Sequence, residues 1–268
     1  MPGKYTATYA LKIPDFQVVD QGPFTESIVG RPRCTATLEP STSGLTLTVE
    51  IETDNPDIGA FAADMYAMRI GQHLTLWFCD HIKHAIIPAP TNQSFQGPDP
   101  NTLHVLPGQI EITGLPVTVI VTRRYPGDEI AKALKDFSLK EAAPTPAFAN
   151  DIIVARQMYI AALTIENAAS RFLIIYSALA AFAAFKLGTK GRTQSRVEKI
   201  LTDEDPTIPM IAPPPQATIT IKETEFTSAR NDFIHAEDRG RQPTAAAAVI
   251  EGMTPKFQAL VGRILRKG

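Results

Sequence analysis

The chain has 268 residues, 44% hydrophobic and 20% charged, a composition that excludes a disordered protein and predicts one large or two ordinary soluble domains. A formal net charge of −2 and a pI near 6.2 exclude global attraction to nucleic acid or to anionic membranes. Only Cys34 and Cys79 are present, which excludes a disulfide framework and favours a reducing, cytoplasmic location.

The first part of the chain is predicted to form strands. Residues 45–52 alternate apolar and polar side chains, and they are expected to pair with residues 35–38 across the turn at 40–44. Further strands are predicted at 73–78, 83–87 and 116–122. The prolines between 88 and 107 predict a long surface loop.

One helix interrupts these strands. Ile58, Phe61, Met65 and Met68 recur at helical spacing directly after the start signal at 55–57. Residues 1–140 are therefore predicted to be a β-rich domain, whose role the sequence does not indicate.

A short helix at 129–137 and a stiff linker at 141–146 are predicted to lead into a helical part. From 155 to 183 apolar residues recur every three or four positions, which predicts one helix of about nine turns or two stacked helices. The uncharged stretch from Phe172 to Phe185 has 14 residues, fewer than the roughly 20 that span a bilayer, so no membrane association is expected.

Three more helices are predicted towards the C-terminus. One begins near 196, one carries Phe226 and ends near Gly240, and the last places Met253, Phe257, Leu260 and Ile264 inward. The predicted fold class is α+β, with the β-rich domain followed by an all-α helical bundle at 147–268.

The most informative motif is the run from Arg230 to His235, with Asn231 directly after the arginine. On a helix five residues turn through about 500°, so Arg230 and His235 would lie some 140° apart, while Asn231 and His235 would share a face. One helix cannot aim both groups at a single ligand. The spacing therefore predicts a site that another surface completes, such as a second copy of the chain in a homodimer.

The helix order and this motif resemble the HEPN superfamily, whose signature is an arginine, four to six residues and a histidine, with a polar residue after the arginine. The resemblance covers residues 150–268 and implies a bundle that forms homodimers. It implies either a metal-independent endoribonuclease or a domain that binds RNA or a nucleotide without cleaving it. It implies proton exchange by His235, phosphate stabilisation by Arg230, and orientation of the phosphate or the imidazole by Asn231. No cofactor is expected.

One departure from that family keeps a second reading open. Members often carry a glutamate in the long helix, but here Tyr176-Ser177-Ala178-Leu179 is followed by Ala180. A non-catalytic module for dimerisation or nucleotide sensing is the alternative. The chain as a whole also resembles the MauJ proteins of methylamine-utilisation gene clusters.

Basic residues near the motif are predicted to contact nucleic acid. Lys190 and Arg192 lie in the turn after the long helix, and Arg239 and Arg241 lie just beyond the motif. Cys79, His81 and His84 have metal-ligand chemistry but lack a second ligand pair, so no metal site is expected.

Overall fold

The computed structural model describes residues 3–13, 16–18, 22–30, 32–41, 44–97, 103–105, 123–125, 127–143, 149–212 and 222–268. The chain divides into two compact units, Met1–Thr75 with Ile86–Pro144, and Leu76–Ala85 with Thr145–Gly268. An antiparallel sheet precedes a set of helices, so the predicted α+β class is confirmed. The segment Leu76–Ala85 belongs to the helical unit, whereas the sequence prediction placed it in the β-rich domain.

The first unit contains a six-stranded antiparallel sheet with the strand order β3-β4-β5-β1-β6-β7. A separate parallel pair is formed by β2 and β8. The strands are β1 (Lys4–Lys12), β2 (Phe16–Val18), β3 (Phe24–Ile28), β4 (Cys34–Ser41), β5 (Gly44–Glu52), β6 (Pro88–Gln96), β7 (Leu103–Val105) and β8 (Arg123–Tyr125). The helices that accompany them are α1 (Pro56–Trp77), whose last two residues belong to the second unit, and α2 (Gly127–Ala142).

The predicted hairpin is confirmed. β4 and β5 pair antiparallel, with Leu38 opposite Leu47. Alternate residues of β5 are buried and their neighbours are partly exposed, because successive side chains of a strand point to opposite faces. The sheet therefore has one apolar face and one polar face.

Two predictions in this unit are wrong. Residues 73–77 lie in α1 rather than in a strand, because Ile70, Leu74 and their neighbours continue the buried face of that helix. The segment 83–87 forms neither strand nor helix. The strand predicted at 116–122 lies outside the described residues.

The prediction of one long loop between 88 and 107 is also wrong, because β6 and β7 form within that stretch; residues 98–102 and 106–107 lie outside the described residues. β6 pairs with β1 along its length, but β7 pairs only with Ser94, Phe95 and Gln96. Pro88 and Pro90 therefore lie where no second strand of the described part of the chain neighbours β6, the position in which a sheet tolerates a missing N–H donor.

Small residues bring α1 close to the sheet. A methyl carbon added at Gly59 would lie 2.5 Å from Cβ of Tyr5 in β1, so only glycine fits at this contact. The short helix predicted at 129–137 is confirmed as part of α2. That helix packs beside β3, where the Ser138 hydroxyl donates to the carbonyl of Ser27 (3.0 Å).

The second unit is mainly helical. The sequence predicted either one long helix or two stacked helices between 155 and 183, and the structure confirms two. Two helices occupy that stretch, and the Asn167 side chain caps the second by accepting from the N–H of Ser170 (2.8 Å). The elements are α3 (Ala149–Ala162), α4 (Ala168–Leu187), α5 (Thr193–Glu204), β9 (Met210–Ile211), β10 (Glu223–Thr224), α6 (Glu225–Ile234) and α7 (Pro243–Lys267).

An aromatic cluster forms the centre of this unit. Phe257 of α7 lies against Phe172 of α4 and Phe226 of α6, with ring centroids 4.5 and 4.9 Å away. All three rings are fully buried. The inward positions predicted for the last helix are confirmed for Phe257, Leu260 and Ile264, and Met253 is partly buried against the same core.

In the described part of the chain, α4 is long and apolar enough to cross a membrane, by length and composition alone. Of its most apolar window, 44% is buried inside the unit, and the helix contacts α3, α5 and α7. A core helix passes the same test.

Two glycines of α7 allow a matched test of packing. A methyl carbon at Gly262 would lie 2.5 Å from Cβ of Cys79 and 2.7 Å from the Tyr159 hydroxyl, whereas at Gly252 it would meet open space. We expect Gly262→Ala to lower the free energy of unfolding by about 1–3 kcal/mol through overpacking. Gly252→Ala should raise it by about 0.5–1 kcal/mol through helix propensity. Urea denaturation measures both; a stabilised Gly262→Ala protein would contradict the packing.

Candidate functional site around Arg230

The motif helix α6 begins at a cap that uses two side chains. Thr224 precedes the helix in extended backbone, and its hydroxyl accepts from the N–H of Thr227 (3.3 Å). The carboxylate of Glu198 in α5 accepts from the backbone N–H of Thr224 (3.0 Å). The start of the motif helix is therefore fixed by α5.

Asn231 is buried and hydrogen-bonded within the protein. Its Nδ2 donates to Oε1 of Glu223 (2.9 Å), and its Oδ1 accepts from Nη1 of Arg230 (2.8 Å). Both ends of the amide are thus used within the protein. The residue orients the Arg230 guanidinium, and its predicted part in orienting a phosphate or the imidazole stays a prediction.

Glu223 is the centre of this network and is 2% exposed. Besides Asn231, its Oε1 accepts from Nε2 of Gln194 in α5 (3.0 Å), and its Oε2 accepts from Nη1 of Arg239 (3.2 Å). A buried carboxylate is stable only when charge and hydrogen bonds offset its loss of water. Donors from α5, α6 and the turn after α6 meet this requirement together.

Arg230 is held differently from the other arginines near it. Its guanidinium lies over the ring of Tyr176 in α4, with Cζ 5.6 Å from the ring centroid, and donates to Asn231. Among the described residues no carboxylate lies within ion-pair distance of Arg230. This partly exposed cation is therefore fixed in position without being neutralised.

His235 lies beyond the end of the motif helix, and the prediction of a helix to Gly240 is wrong. The helix ends at Ile234, and His235 has non-helical backbone angles of φ −116° and ψ 39°. The 140° separation and the face shared with Asn231 therefore do not apply, because both assume continuous helix. The imidazole is half-exposed, and its Nδ1 lies 4.0 Å from the exposed carboxylate of Asp238.

The two arginines beyond the motif serve the fold. Arg239 is 8% exposed and pairs with Glu223 and with Asp232 (Nε to Oδ1, 2.9 Å). The predicted contact of Arg239 with nucleic acid stays a prediction; in the structure its guanidinium is buried against two carboxylates. Arg241 is exposed but pairs with the other oxygen of Asp232 (3.2 Å), which reduces its free charge.

Lys190 and Arg192 are exposed in the loop between α4 and α5. Arg196 holds this loop, since its Nη1 donates to the carbonyls of Thr189, Lys190 and Gly191 at 2.8–3.1 Å. The two predicted binding residues are thus displayed on an ordered loop, with their charged groups in solvent.

Burial changes the acid–base behaviour of two groups behind Arg230. It raises the pKa of the Glu198 carboxyl above its usual range, although hydrogen bonds from Thr227 and Thr224 act in the opposite direction. It also raises the pKa of Tyr176 to about 12, so this phenol stays protonated at neutral pH. The Tyr176 hydroxyl lies 3.2 Å from the hydroxyl of Thr227.

The turn that contains Cys79 is part of the helical core. Burial raises the pKa of the Cys79 thiol to about 11, and its Sγ lies 3.8 Å from the carbonyl of Ala259. Within the described residues no group of three histidine, cysteine or acidic side chains could hold a metal ion.

Several residues of the site had no recognisable signal in the sequence. Glu223 and Gln194 come from outside the motif, and only the tertiary fold brings them to Asn231. The start of the helix was detectable, since Thr224 followed by an acidic first turn is an N-terminal signal.

Comparison of the chain with family models, with curated proteins and with solved structures found no match. The resemblances to HEPN domains and to MauJ proteins therefore stay predictions that depend on the residues named above.

Removal of the central carboxylate should destabilise the helical unit. We expect Glu223→Ala to lower the free energy of unfolding by about 3 kcal/mol, because Arg239 and Asn231 lose a buried partner. Asp238→Ala, an acidic residue of the same region whose side chain is 86% exposed, should change it by less than about 0.5 kcal/mol. Urea denaturation with both variants measures the difference; equal effects would show that the network does not stabilise the fold.

Proposed function

We propose that the helical unit is a HEPN-like domain that binds RNA through Arg230 and His235. We propose further that a second copy of the chain completes the site as a metal-independent endoribonuclease. Lys190 and Arg192 extend the contact along the RNA backbone. Asn231 is a positioning residue in this proposal, since it contacts Arg230 rather than the ligand.

The observation that supports this proposal best is the state of Arg230. Arg239 and Arg241 are paired with carboxylates, but Arg230 is oriented by a neutral amide and an aromatic ring. A planar cation held in this way keeps its charge and its remaining N–H donors for an anion. A phosphate group, with oxygens that accept two parallel hydrogen bonds, fits this chemistry.

The proposed cleavage needs two proton transfers and one cation. The ribose 2′-oxygen attacks the adjacent phosphorus and loses its proton to one imidazole, and the bond from phosphorus to the 5′-oxygen breaks. A second imidazole donates a proton to that leaving oxygen, which leaves a 2′,3′-cyclic phosphate and a 5′-hydroxyl. His235 of each copy supplies one imidazole, and Arg230 stabilises the charge on the phosphate oxygens.

A specific observation also favours the non-catalytic alternative. The polar residue of the motif, Asn231, is buried and bonded to Glu223, and the acidic Asp232, Glu237 and Asp238 lie close to His235 in the chain. A motif retained for these internal contacts would serve a module for dimerisation or nucleotide sensing. Such a module would bind a nucleotide or RNA without cleaving it.

Cleavage of fluorescently labelled single-stranded RNA in the presence of EDTA tests the first proposal. We expect His235→Ala to lower the cleavage rate by about 10²–10⁴-fold, because proton transfer is lost. Arg230→Ala and Arg230→Lys should each lower it by about 10²-fold or more, since a lysine lacks the planar fork. A cyclic phosphate terminus on the product identifies the reaction.

Two control variants remove a positive charge or an imidazole at positions outside the proposed site. Lys132→Ala removes a cation from the first unit, and His84→Ala removes an exposed histidine outside the site; neither should change the rate. Cleavage that survives both His235→Ala and Arg230→Ala would exclude this site. Binding by the wild type without cleavage on varied RNAs would select the non-catalytic alternative.

The proposed RNA path has its own test in the salt dependence of binding. Each phosphate contact to single-stranded RNA contributes about 0.7 to the slope of log K against log salt concentration. Lys190→Ala combined with Arg192→Ala should therefore reduce the slope by about 1.4. Lys199→Ala is the matched control, because that lysine pairs with Asp203 (2.9 Å) and should leave the slope unchanged. Equal slopes for all proteins would place the RNA elsewhere.

A further inference from the structure

An apolar stripe lies on the exposed side of α1 in the first unit. It consists of Ile58, Phe61, Met65 and Met68. Ile58, Phe61 and Met68 are 51%, 74% and 43% exposed, and Met65 is partly exposed. Single apolar residues are common on protein surfaces, but a continuous stripe along one helix face marks a site of association.

The stripe is not the core-facing side of the helix. The opposite face of α1 is buried and consists mainly of small residues, with the larger Tyr66, Ile70 and Leu74 among them. α1 therefore has two apolar faces, and the side towards the sheet is one of them. The other face has no covering partner among the described residues.

The spacing of the stripe is that of a coiled-coil seam. Its members are separated by three, four and three residues, which corresponds to the a and d positions of a heptad. Two helices that pair along such a seam bury the a and d side chains between them. The stripe covers about three turns, so the predicted pairing is short.

Two charges of opposite sign flank the stripe. Asp64, directly before Met65, lies on one side, and Arg69, directly after Met68, lies on the other. In heptad terms they occupy a g position and the following e position, five residues apart. These are the two positions that meet across a parallel pair of helices.

We propose that the α1 stripe is a homodimer interface in which α1 of a second copy packs in parallel. In this arrangement Ile58, Phe61, Met65 and Met68 each meet the same residue of the other copy. Asp64 of each copy lies opposite Arg69 of the other, so that two ion pairs flank the seam.

The charges of Asp64 and Arg69 favour a second copy of the chain as the partner, and they favour a parallel arrangement of the two helices. One helix that carries Asp64 and Arg69 at complementary positions is complementary to itself, so a second copy satisfies both flanks. An antiparallel pair would instead bring g positions together, placing Asp64 near Asp64 of the other copy. Like charges at that distance oppose association.

The present contacts of the two residues are compatible with this arrangement. Asp64 accepts from the hydroxyl of Tyr9 through Oδ1 (2.7 Å), which leaves Oδ2 for another donor. Arg69 pairs with Glu141 through Nη2 (2.5 Å), and its side chain is still 44% exposed. Its other nitrogens can reach a second carboxylate.

This interface is independent of the proposed RNA site, since all its residues lie in the first unit. The RNA proposal also needs a second copy of the chain, but its residues lie in the second unit. Phe61→Asp therefore tests the α1 contact, and His235→Ala tests the RNA site, so failure of one proposal is distinguishable from failure of the other. Four side chains per copy form a small interface, so we expect a dissociation constant in the micromolar range.

Sedimentation equilibrium of the full chain across the micromolar range tests the stripe. Phe61→Asp should weaken dimerisation by at least about tenfold, because it places a charge in the centre of the seam. Leu139→Asp is the matched control: Leu139 is 63% exposed on α2 of the same unit, outside the stripe. It should leave the dissociation constant unchanged.

Charge exchange tests the parallel direction. Asp64→Lys alone and Arg69→Glu alone should each weaken self-association, because each creates two repulsive pairs. A mixture of the two variants should dimerise again, since lysine then meets glutamate on one flank and aspartate meets arginine on the other. Differently tagged chains allow the mixed dimer to be captured and counted.

Each result decides the proposal. Weakening by Phe61→Asp and by each single charge reversal, together with recovery in the mixture, supports the parallel homodimer. In an antiparallel pair a single reversal only replaces one like-charge contact with another, so it would not weaken association. A wild-type chain that is monomeric throughout the range, or a dimer that Phe61→Asp leaves intact, overturns the interface. A monomer in which Phe61→Asp lowers the free energy of unfolding would show that another part of the chain covers the stripe. A dimer without recovery in the mixture overturns the parallel direction.

Discussion

The arrangement of the motif from Arg230 to His235 depends on the hydrogen bonds of one buried carboxylate, that of Glu223. This carboxylate joins Gln194 of α5, Asn231 of α6 and Arg239 of the following turn at one point. Loss of water around a carboxylate costs several kcal/mol, so this position is stable only while all three donors remain. The geometry of the motif is thus a consequence of an internal electrostatic requirement.

That requirement separates the motif into internal and external residues. Asn231 and Arg239 are used by Glu223, whereas Arg230 is oriented through Asn231 and stays without a carboxylate partner among the described residues. His235 faces solvent because the helix has ended before it. A ligand of the proposed kind would meet a fixed guanidinium and an accessible imidazole, and the buried amide would act through the arginine.

The first unit illustrates how one helix can have two apolar faces with different roles. Gly59 and the neighbouring alanines let α1 lie close to β1, where a larger side chain would collide with Tyr5. The outer side carries Ile58, Phe61, Met65 and Met68, while the buried side combines small residues with Tyr66, Ile70 and Leu74. Ile58, Phe61, Met65 and Met68 predicted the helix correctly from their spacing, but spacing does not distinguish a face that packs internally from one available to a second copy.

The sequence by itself determined the α+β class, the β4–β5 hairpin and the inward face of α7, because these depend on periodicity within a short stretch. The tertiary structure alone decided that residues 73–77 continue a helix, whose buried face includes Ile70 and Leu74, and that Pro88 begins a strand, which pairs with β1 from a remote part of the chain. The same distinction applies to the site. The sequence identified the motif from Arg230 to His235, but the roles of its members depend on Glu223 and Gln194, which folding brings beside it.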